Sequence, residues 1–358
     1  MYPEKMKAAV FHGPRDMRIE TLKVPALEPG WVLVKVKAAG ICGSDLHLYK
    51  EKTSIGIHSV LGEGKYVPGH EFAGTIEATG EDVQGFEKGD RIVVEPIVGC
   101  GVCKWCQTGS YNLCKEYKLI GFYYLGGFAE YCAVPAEKCF KVPEHISLQE
   151  AATGDCIAVA EHAIRKAGVS NEDDVVIIGA GSIGLFAVQA AKAAGARDVY
   201  AVGTHDFQVD AAEQVGATTA INARKEDPVE KILDMTEGKG VDKVIEAVGG
   251  KTTVINDAIN MLRPQGTLVI TGIFVEPIET DLFGLLTKEL NVTTAWGYGY
   301  WSHRREFEVG MDLLYKGRID AEKLVTHRYT LEEINDAYAA ALDKEKEKSI
   351  KVQITFPD

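Results

Sequence analysis

The sequence predicts an α/β protein made of a β-rich domain and a doubly wound domain with a parallel sheet. The first part of the 358-residue chain contains β-branched runs separated by Gly and Pro, whereas the part after about residue 174 alternates strand and helix patterns. Such alternation implies right-handed crossovers and a sheet covered on both faces. The predicted boundaries are 1–158 with 305–358 for the first domain and 159–304 for the second.

Four early segments have the composition of strands. They are Lys7–Phe11, Trp31–Lys37, Phe72–Gly80 and Asp90–Glu95. The pattern then changes, and Ser147–Ala167 shows the periodicity of a helix.

The second domain is predicted from the order of its elements. Strands are expected at Asp174–Ile178, Asp198–Val202, Asp242–Val248, Gly266–Gly272 and Asn291–Ala295, and helices at Ser182–Ala194 and Asp206–Val215. The tail contains two predicted helices and ends in Ser349–Phe356, a strand pattern that can return to the sheet of the first domain.

Composition excludes several classes of function. The net charge of −13 argues against a nucleic-acid partner, because phosphate binding needs clustered Lys and Arg. No segment of about 20 apolar residues predicts a membrane span, and the N-terminus has no apolar core of a secretory signal. Cysteines outside the cluster described next are expected to be free thiols, which fits a cytoplasmic protein.

Half of the eight cysteines lie within fifteen residues. They are Cys100, Cys103, Cys106 and Cys114. Four thiolates complete a tetrahedron around zinc and leave no position for water, so we expect a structural zinc site in a lobe spanning 96–116. An iron–sulfur cluster is the alternative for such ligands, but bacterial ferredoxin spacing is tighter and ends in Cys-Pro, whereas Lys115 follows here. A redox disulfide is the third interpretation.

A glycine-rich turn predicts a dinucleotide site. The motif is Gly179-Ala-Gly181-Ser182-Ile183-Gly184, which follows a strand and opens a helix. Its glycines permit a tight turn and close approach of a pyrophosphate, and the helix N-terminus offers unpaired N–H groups to the phosphates.

The next strand bears on the choice between NAD and NADP. A carboxylate at its tip would bind the ribose 2′-OH of NAD, but the tip here is Gly203, followed by Thr204 and His205. Glycine leaves room for a 2′-phosphate, and Arg224 after the third strand could pair with it. We therefore expect NADP, with NAD as the alternative because Asp206 could instead reach the ribose.

A second metal site is predicted in the β-rich part. Cys42 and His70 each lie beside glycines, and Asp155 opens the long helix. Three protein ligands and one open position make a catalytic zinc site, at which the metal polarises a substrate oxygen. A hydride can then pass from the alcohol carbon to a nicotinamide.

Five segments together resemble the zinc-containing medium-chain dehydrogenases of alcohols, polyols, butanediol and threonine. They are GICGSDLH, PGHEFAG, the four-cysteine lobe, GAGSIG and KSIKVQITF. The resemblance covers essentially the whole chain. It implies a GroES-like catalytic domain, a Rossmann domain, two zinc ions per chain and a homotetramer or homodimer joined through the sheets of the nucleotide-binding domains.

The resemblance also implies roles for single residues. Cys42, His70 and Asp155 match the catalytic zinc ligands, and Glu71 matches an acid beside the metal. Ser44 and His47 match a relay that carries the hydroxyl proton to solvent, for which His has a suitable pKa. Lys351 matches a basic residue that reaches the pyrophosphate, and we also place Val248 and Thr271 at the coenzyme.

The substrate is expected to be a small secondary alcohol, a vicinal diol or the corresponding ketone. A pocket lined by aromatic residues supports this expectation: Tyr49, Phe122, Tyr123, Trp296 and Tyr298. The alternative is an NAD-dependent polyol (sorbitol-like) or threonine dehydrogenase. A zinc-free quinone or enoyl reductase of the same fold would lack the metal ligands.

Overall fold

The computed structural model describes residues 2–50, 61–62, 64–274 and 276–357. The strands in chain order are β1 Lys5–Gly13, β2 Asp16–Lys23, β3 Trp31–Gly40, β4 Glu71–Thr79, β5 Arg91–Val94, β6 Ile97–Val98, β7 Lys118–Leu119, β8 Tyr131–Pro135, β9 Cys139–Lys141, β10 Asp174–Ile178, β11 Asp198–Gly203, β12 Thr219–Asn222, β13 Val241–Glu246, β14 Leu262–Ile270, β15 Asn291–Thr294, β16 Tyr300–Trp301, β17 Arg304–Arg305, β18 Val325–Tyr329 and β19 Lys351–Thr355.

The helices lie between them. They are α1 Gly43–Lys50, α2 Lys104–Gln107, α3 Leu148–Ala151, α4 Gly154–Ala167, α5 Ser182–Ala194, α6 Asp206–Gln214, α7 Pro228–Met235, α8 Val254–Met261, α9 Leu282–Thr287, α10 Glu306–Tyr315, α11 Ile334–Leu342 and α12 Lys344–Glu347. Among the described helices none is long and apolar enough to cross a bilayer.

The chain divides into two compact units. The first comprises Met1–Asp155, Gly299–His303 and Val325–Asp358, and the second comprises Cys156–Tyr298 and Arg304–Leu324. This division differs from the predicted boundaries, which assigned 305–324 to the first domain. Helix α10 belongs to the second unit because Glu306 bonds His162 at 2.8 Å and Phe307 packs on Tyr298.

The first unit is organised around a sheet with strand order β18-β19-β3-β4-β5-β9, in which β8 also pairs with β3. Strands β3 and β4 are buried over most of their length, and side chains such as Val34 and Phe72 lie in the core of the unit. The predicted return of the terminal strand is confirmed, since β19 pairs antiparallel with β3. The register of β3 and β4 pairs Gly40 with Glu71, which brings the ends of these strands together.

The second unit contains a parallel sheet with strand order β12-β11-β10-β13-β14-β15. The strands read as buried apolar runs because helices cover the sheet, and Val176, Val244 and Leu268 are fully buried. The order reverses between β10 and β13. Ligands of open parallel sheets bind at such a reversal, outside the carboxyl ends of the strands.

One helix of this unit was predicted as part of a longer one. The helical pattern over Ser147–Ala167 forms two helices, α3 and α4, because the chain turns at Ala152 and Thr153. Ser147 caps α3 through a reciprocal pair of hydrogen bonds with Glu150.

Candidate active site and metal centres

Cys42 occupies the turn between β3 and α1 in the first unit. Its backbone N–H donates to Asp45 Oδ2 at 2.9 Å, and this bond fixes the turn as a side-chain cap would. Asp45 is 2% exposed. The thiol is therefore held at the end of β3, beside the start of β4.

His70 and Glu71 stand at the start of β4. The Cys42 Sγ, one ring nitrogen of His70 and one carboxylate oxygen of Glu71 all lie within 4.8 Å of one another. Both side chains are buried, and a Cβ on the preceding Gly69 (φ +94°) would lie 2.8 Å from Phe128. Only glycine permits that approach with that backbone conformation.

Negative charge is concentrated around His70. Burial lowers the pKa of His70, but the charges of Cys42, Asp45 and Asp155 outweigh burial and raise that pKa well above its usual value. Its Nδ1 lies 3.8 Å from Asp45 Oδ1. Thiolate, imidazole and carboxylate are the donors that zinc prefers, and a dication would neutralise this excess charge, so the residues fit the metal.

Lys351 contacts the same group. Its ammonium pairs with the Glu71 carboxylate and donates to the Ile41 carbonyl at 3.2 Å. Lys351 is 1% exposed, so it is not the exposed strand lysine of the alternative interpretation. The predicted contact of Lys351 with a coenzyme pyrophosphate stays a prediction, and in this structure the ammonium faces Glu71.

Asp155 lies in the first turn of α4 and is not among the three grouped residues. Glu71 is the carboxylate of the grouped residues, and the role of Asp155 as third ligand stays a prediction. Asp155 is nevertheless close enough to raise the pKa of His70.

Ser44 and His47 lie on α1, three residues apart and just after Cys42. Neighbours at this spacing share one side of a helix. Ser44 is half-buried and His47 is exposed, so the helix leads from the buried group towards solvent. Their relay role stays a prediction.

The residues predicted to line the substrate pocket lie partly in the first unit and partly in the second. Phe122 is buried with its ring 5.6 Å from that of His70, and Tyr123 is half-buried against the core of the first unit. Tyr49 packs on Tyr338 at 4.5 Å and borders a cavity of about 450 Å³.

The two remaining pocket residues lie in the second unit. Trp296 is 49% exposed, whereas Tyr298 is 0% exposed and packs on Phe307. The expectation that Tyr298 lines a pocket is wrong, because its ring is part of the core.

The four-cysteine cluster is assembled as predicted. One sulfur from each cysteine lies within 4.8 Å of the others: Cys100, Cys103, Cys106 and Cys114. Cys103 Sγ is 3.6 Å from Cys106 Sγ, and no disulfide forms among the eight cysteines. Backbone N–H groups of Val102 and then Cys103 lower the pKa of Cys100 to about 6, whereas burial raises the pKa of Cys106 to about 12.

A buried ionic contact attaches this lobe to the sheet. The Tyr111 hydroxyl, between the third and fourth cysteines, donates to Glu95, and Lys138 Nζ donates to the same carboxylate at 3.2 Å. The Lys138 ammonium also lies 4.6 Å from the centroid of the Tyr111 ring. The lobe is therefore held by side chains as well as by its cysteines.

The glycine-rich turn of the second unit joins β10 to α5. Gly181 is the N-cap of α5, and a Cβ there would meet no atom within 4 Å, which leaves space for a ligand. A Cβ on Gly184 would collide with the Gly179 carbonyl, so this glycine permits close packing of helix and strand. Ser182 and Ile183 follow Gly181 in the first turn, where unpaired N–H groups attract phosphate.

The residues expected at the ribose lie after β11 and β12. Thr204 Oγ1 is 3.0 Å from His205 Nδ1, beside Gly203 at the end of β11. Asp206 accepts from Asn222 Nδ2 at 2.8 Å and pairs with Lys225 at 2.6 Å.

Arg224, Val248 and Thr271 complete the predicted coenzyme residues. Arg224 follows β12 and its backbone N–H donates to Asn222 Oδ1 at 3.0 Å. Val248 is 45% exposed after β13, and Thr271 Oγ1 donates to the Ala295 carbonyl at 3.1 Å after β14. All three follow carboxyl ends of strands, where the fold places ligands.

Two residues of these sites, Asp45 and Glu246, were not predicted from the sequence. Asp45 lies in the GSDLH segment three residues after Cys42, a spacing that allows a carboxylate to cap a turn. Glu246 ends a buried strand, and a lone acid within an apolar run was a signal that its carboxylate is bonded.

Comparisons with known families and proteins agree with this geometry. The alcohol dehydrogenase GroES-like domain matches residues 28–144, and the zinc-binding dehydrogenase family matches residues 182–316. Sorbitol dehydrogenase of Bacillus subtilis is 36% identical over 98% of both chains. (R,R)-butanediol dehydrogenase of the same organism is 36% identical over 95% of this chain and 97% of its own.

Solved structures extend the likeness to coenzyme complexes. An alcohol dehydrogenase from Escherichia coli in complex with NADH has a TM-score of 0.89 at 31% identity, covering 99% of this chain and 100% of that one. A zinc-binding dehydrogenase from Sinorhizobium meliloti bound to NADP has a TM-score of 0.88 at 29% identity, with the same coverage.

Fold and site together define a zinc-dependent oxidoreductase that acts on CH–OH groups of alcohols or polyols. The chain belongs to the zinc-containing medium-chain dehydrogenase/reductase family.

We expect two zinc ions per chain, measured by plasma mass spectrometry on the purified protein. Cys42→Ser should lose one zinc and abolish turnover while the fold is kept, because it removes a ligand from the open site. Cys103→Ser should lose the other zinc and damage folding or assembly. Cys139→Ala, in a buried cysteine outside both groups, is the control that should retain both. A single zinc in the wild type, removable only with unfolding, would refute the catalytic site.

Proposed function

We propose that this enzyme interconverts a small secondary alcohol or vicinal diol and the corresponding ketone, with NADP(H) as coenzyme. The proposal rests on the group of Cys42, which is half-buried, with the buried His70 and Glu71. The relative named butanediol dehydrogenase supports a small diol as substrate, whereas the relative named sorbitol dehydrogenase supports the alternative polyol dehydrogenase.

Bound zinc would supply Lewis acidity to the substrate oxygen. Cys42 and His70 would hold the ion, and Asp45 fixes the turn that presents the thiol. Asp155 and Glu71 compete for the third position. Glu71 is within reach, but Lys351 neutralises it, whereas Asp155 adds negative charge near His70.

In this proposal, residues of α1 transfer the proton of the substrate hydroxyl. Ser44 would accept the hydroxyl proton and His47, which is exposed, would pass it to water. Phe122 lies against His70 and excludes water from one side of the group. An apolar wall of this kind favours a small substrate over a highly hydroxylated one.

Steady-state assays across secondary alcohols, vicinal diols, polyols and threonine test the substrate class. We expect the highest kcat/KM for a short secondary alcohol or vicinal diol. A sorbitol-like polyol or threonine as the best substrate would favour the alternative dehydrogenases. Turnover that persists after complete removal of zinc would instead support a zinc-free reductase and contradict the proposal.

NADP preference rests on the residues after β11. Gly203 has no carboxylate to repel a 2′-phosphate, and Thr204 and His205 offer hydrogen-bond donors. The hydrogen bonds from Lys225 and then Asn222 lower the pKa of Asp206, and they hold its carboxylate on the β12 side. These bonds weaken the argument for Asp206 as a ligand of the ribose in NAD.

We expect a higher kcat/KM with NADP than with NAD. Arg224→Ala should raise the KM for NADP roughly tenfold, because it removes a charge-assisted contact, and should leave the KM for NAD nearly unchanged. The matched control is Lys231→Ala, which also removes one positive charge. Lys231 is an exposed lysine of α7 that pairs with Glu226. A wild type with higher kcat/KM for NAD would overturn the coenzyme proposal.

The second unit carries an exposed apolar surface, which we propose as the interface with a second copy of the chain. Leu282, Phe283 and Leu286 of α9 are 72%, 74% and 73% exposed, and contiguous exposed apolar groups mark interaction sites. Within the described residues β15 pairs only with β14, so one edge of the sheet is open. We propose that the homo-oligomer forms through this edge and α9.

Sedimentation velocity tests the assembly. The wild type should sediment as a dimer or tetramer, and Phe283→Asp should lower the mass because it places a charge in an apolar interface. Met235→Asp, at an exposed apolar residue of α7, should leave the mass unchanged. An unaltered mass for Phe283→Asp would exclude this surface as the interface.

A further inference from the structure

Glu246 at the carboxyl end of β13 is fully buried, although it is an acid. Its Oε1 accepts from the backbone N–H groups of Val248 and Gly249, each at 2.7 Å, and its Oε2 accepts from the N–H of Gly272 at 3.2 Å. Three backbone donors on one carboxylate satisfy it without a cation.

These bonds join the two loops that follow β13 and β14. The Gly250 N–H donates to the Ile273 carbonyl at 2.8 Å, which adds a direct contact between the loops. A Cβ on Gly249 (φ +63°) would collide with Ile273, and a Cβ on Gly272 would collide with Gly249. The backbones therefore touch, and Glu246 lies between them.

The first of these loops also touches the glycine-rich turn. The Ala247 N–H donates to the Ile178 carbonyl at 2.9 Å, and a Cβ on Gly179 would lie 2.8 Å from Val248 Cγ2. This contact lies where the strand order reverses, between β10 and β13. Glu246 thus fixes the backbone of Val248, which in turn packs on Gly179.

We propose that Glu246 is a positioning residue for the coenzyme. Its carboxylate accepts hydrogen bonds from the backbone of Val248 and from the backbone of Gly272, the neighbour of Thr271. In this way it holds Val248 and Thr271 in place at the coenzyme site. This inference rests on the proposed function, since it takes the ligand of this site to be a nicotinamide dinucleotide.

Glu246→Gln is the informative variant. The amide keeps the size of the side chain but turns an NH₂ group towards one of the backbone donors, so at least one bond is lost. We expect the Kd for NADP or NAD, measured by calorimetry on the purified protein, to rise about tenfold, or about 1.4 kcal/mol. The KM for the alcohol should change less than twofold.

Asp242→Asn is the matched control at the other end of the same strand. Asp242 accepts from the Asp174 N–H at 2.8 Å and pairs with Arg263 at 2.7 Å. This variant should lower the melting temperature without changing the coenzyme Kd. A purely structural role for Glu246 predicts the same outcome for both variants, and equal Kd values would overturn the proposal.

Glu246→Asp covers the case in which the amide variant does not fold. Aspartate keeps the charge but withdraws it by one methylene, so the Kd should rise while the zinc content of the folded protein stays at that of the wild type. A Kd within twofold of wild type in this folded variant also contradicts the inference. A wild type that binds neither coenzyme would instead refute the proposed function.

Discussion

The buried negative charge around His70 is the constraint on which the first unit depends. Transfer of an ion from water into the protein interior costs several kcal/mol unless a partner compensates it. Lys351 compensates Glu71, whereas the charges of Cys42, Asp45 and the nearby Asp155 act on His70 and favour its protonated, positively charged form. A zinc ion would take the place of that proton, and we therefore expect zinc binding to stabilise the first unit.

The two metal centres differ in a way that follows from their donors. The catalytic group is buried at the meeting point of β3, α1 and β4, so the sheet register determines its geometry. The four-cysteine lobe has only short regular elements, among them β6 and α2, and depends on its sulfurs and on the contact of Tyr111 with Glu95. Loss of a ligand should therefore affect chemistry in the first centre and local folding in the second.

Local features of the sequence predicted the second unit well. The bounds of β10 and α5 agree with the predicted Asp174–Ile178 and Ser182–Ala194 because a buried apolar run and a glycine-rich turn limit both elements. Tertiary contacts determined what the sequence could not predict. The membership of α10 depends on His162, over a hundred residues earlier, and the burial of Lys351 depends on the Glu71 carboxylate across the sheet.

Three buried glutamates show why the roles of side chains cannot be predicted from the sequence alone. Glu71 pairs with an ammonium beside a metal group, Glu95 is shared by a phenol and Lys138, and Glu246 is satisfied by backbone N–H groups alone. Each lies at one end of a strand, Glu71 before an apolar segment and Glu95 and Glu246 after one, so the local sequence does not distinguish their roles. Their partners differ because different loops meet each strand end. The same residue type is therefore able to tune a metal centre, anchor a lobe or shape a coenzyme site.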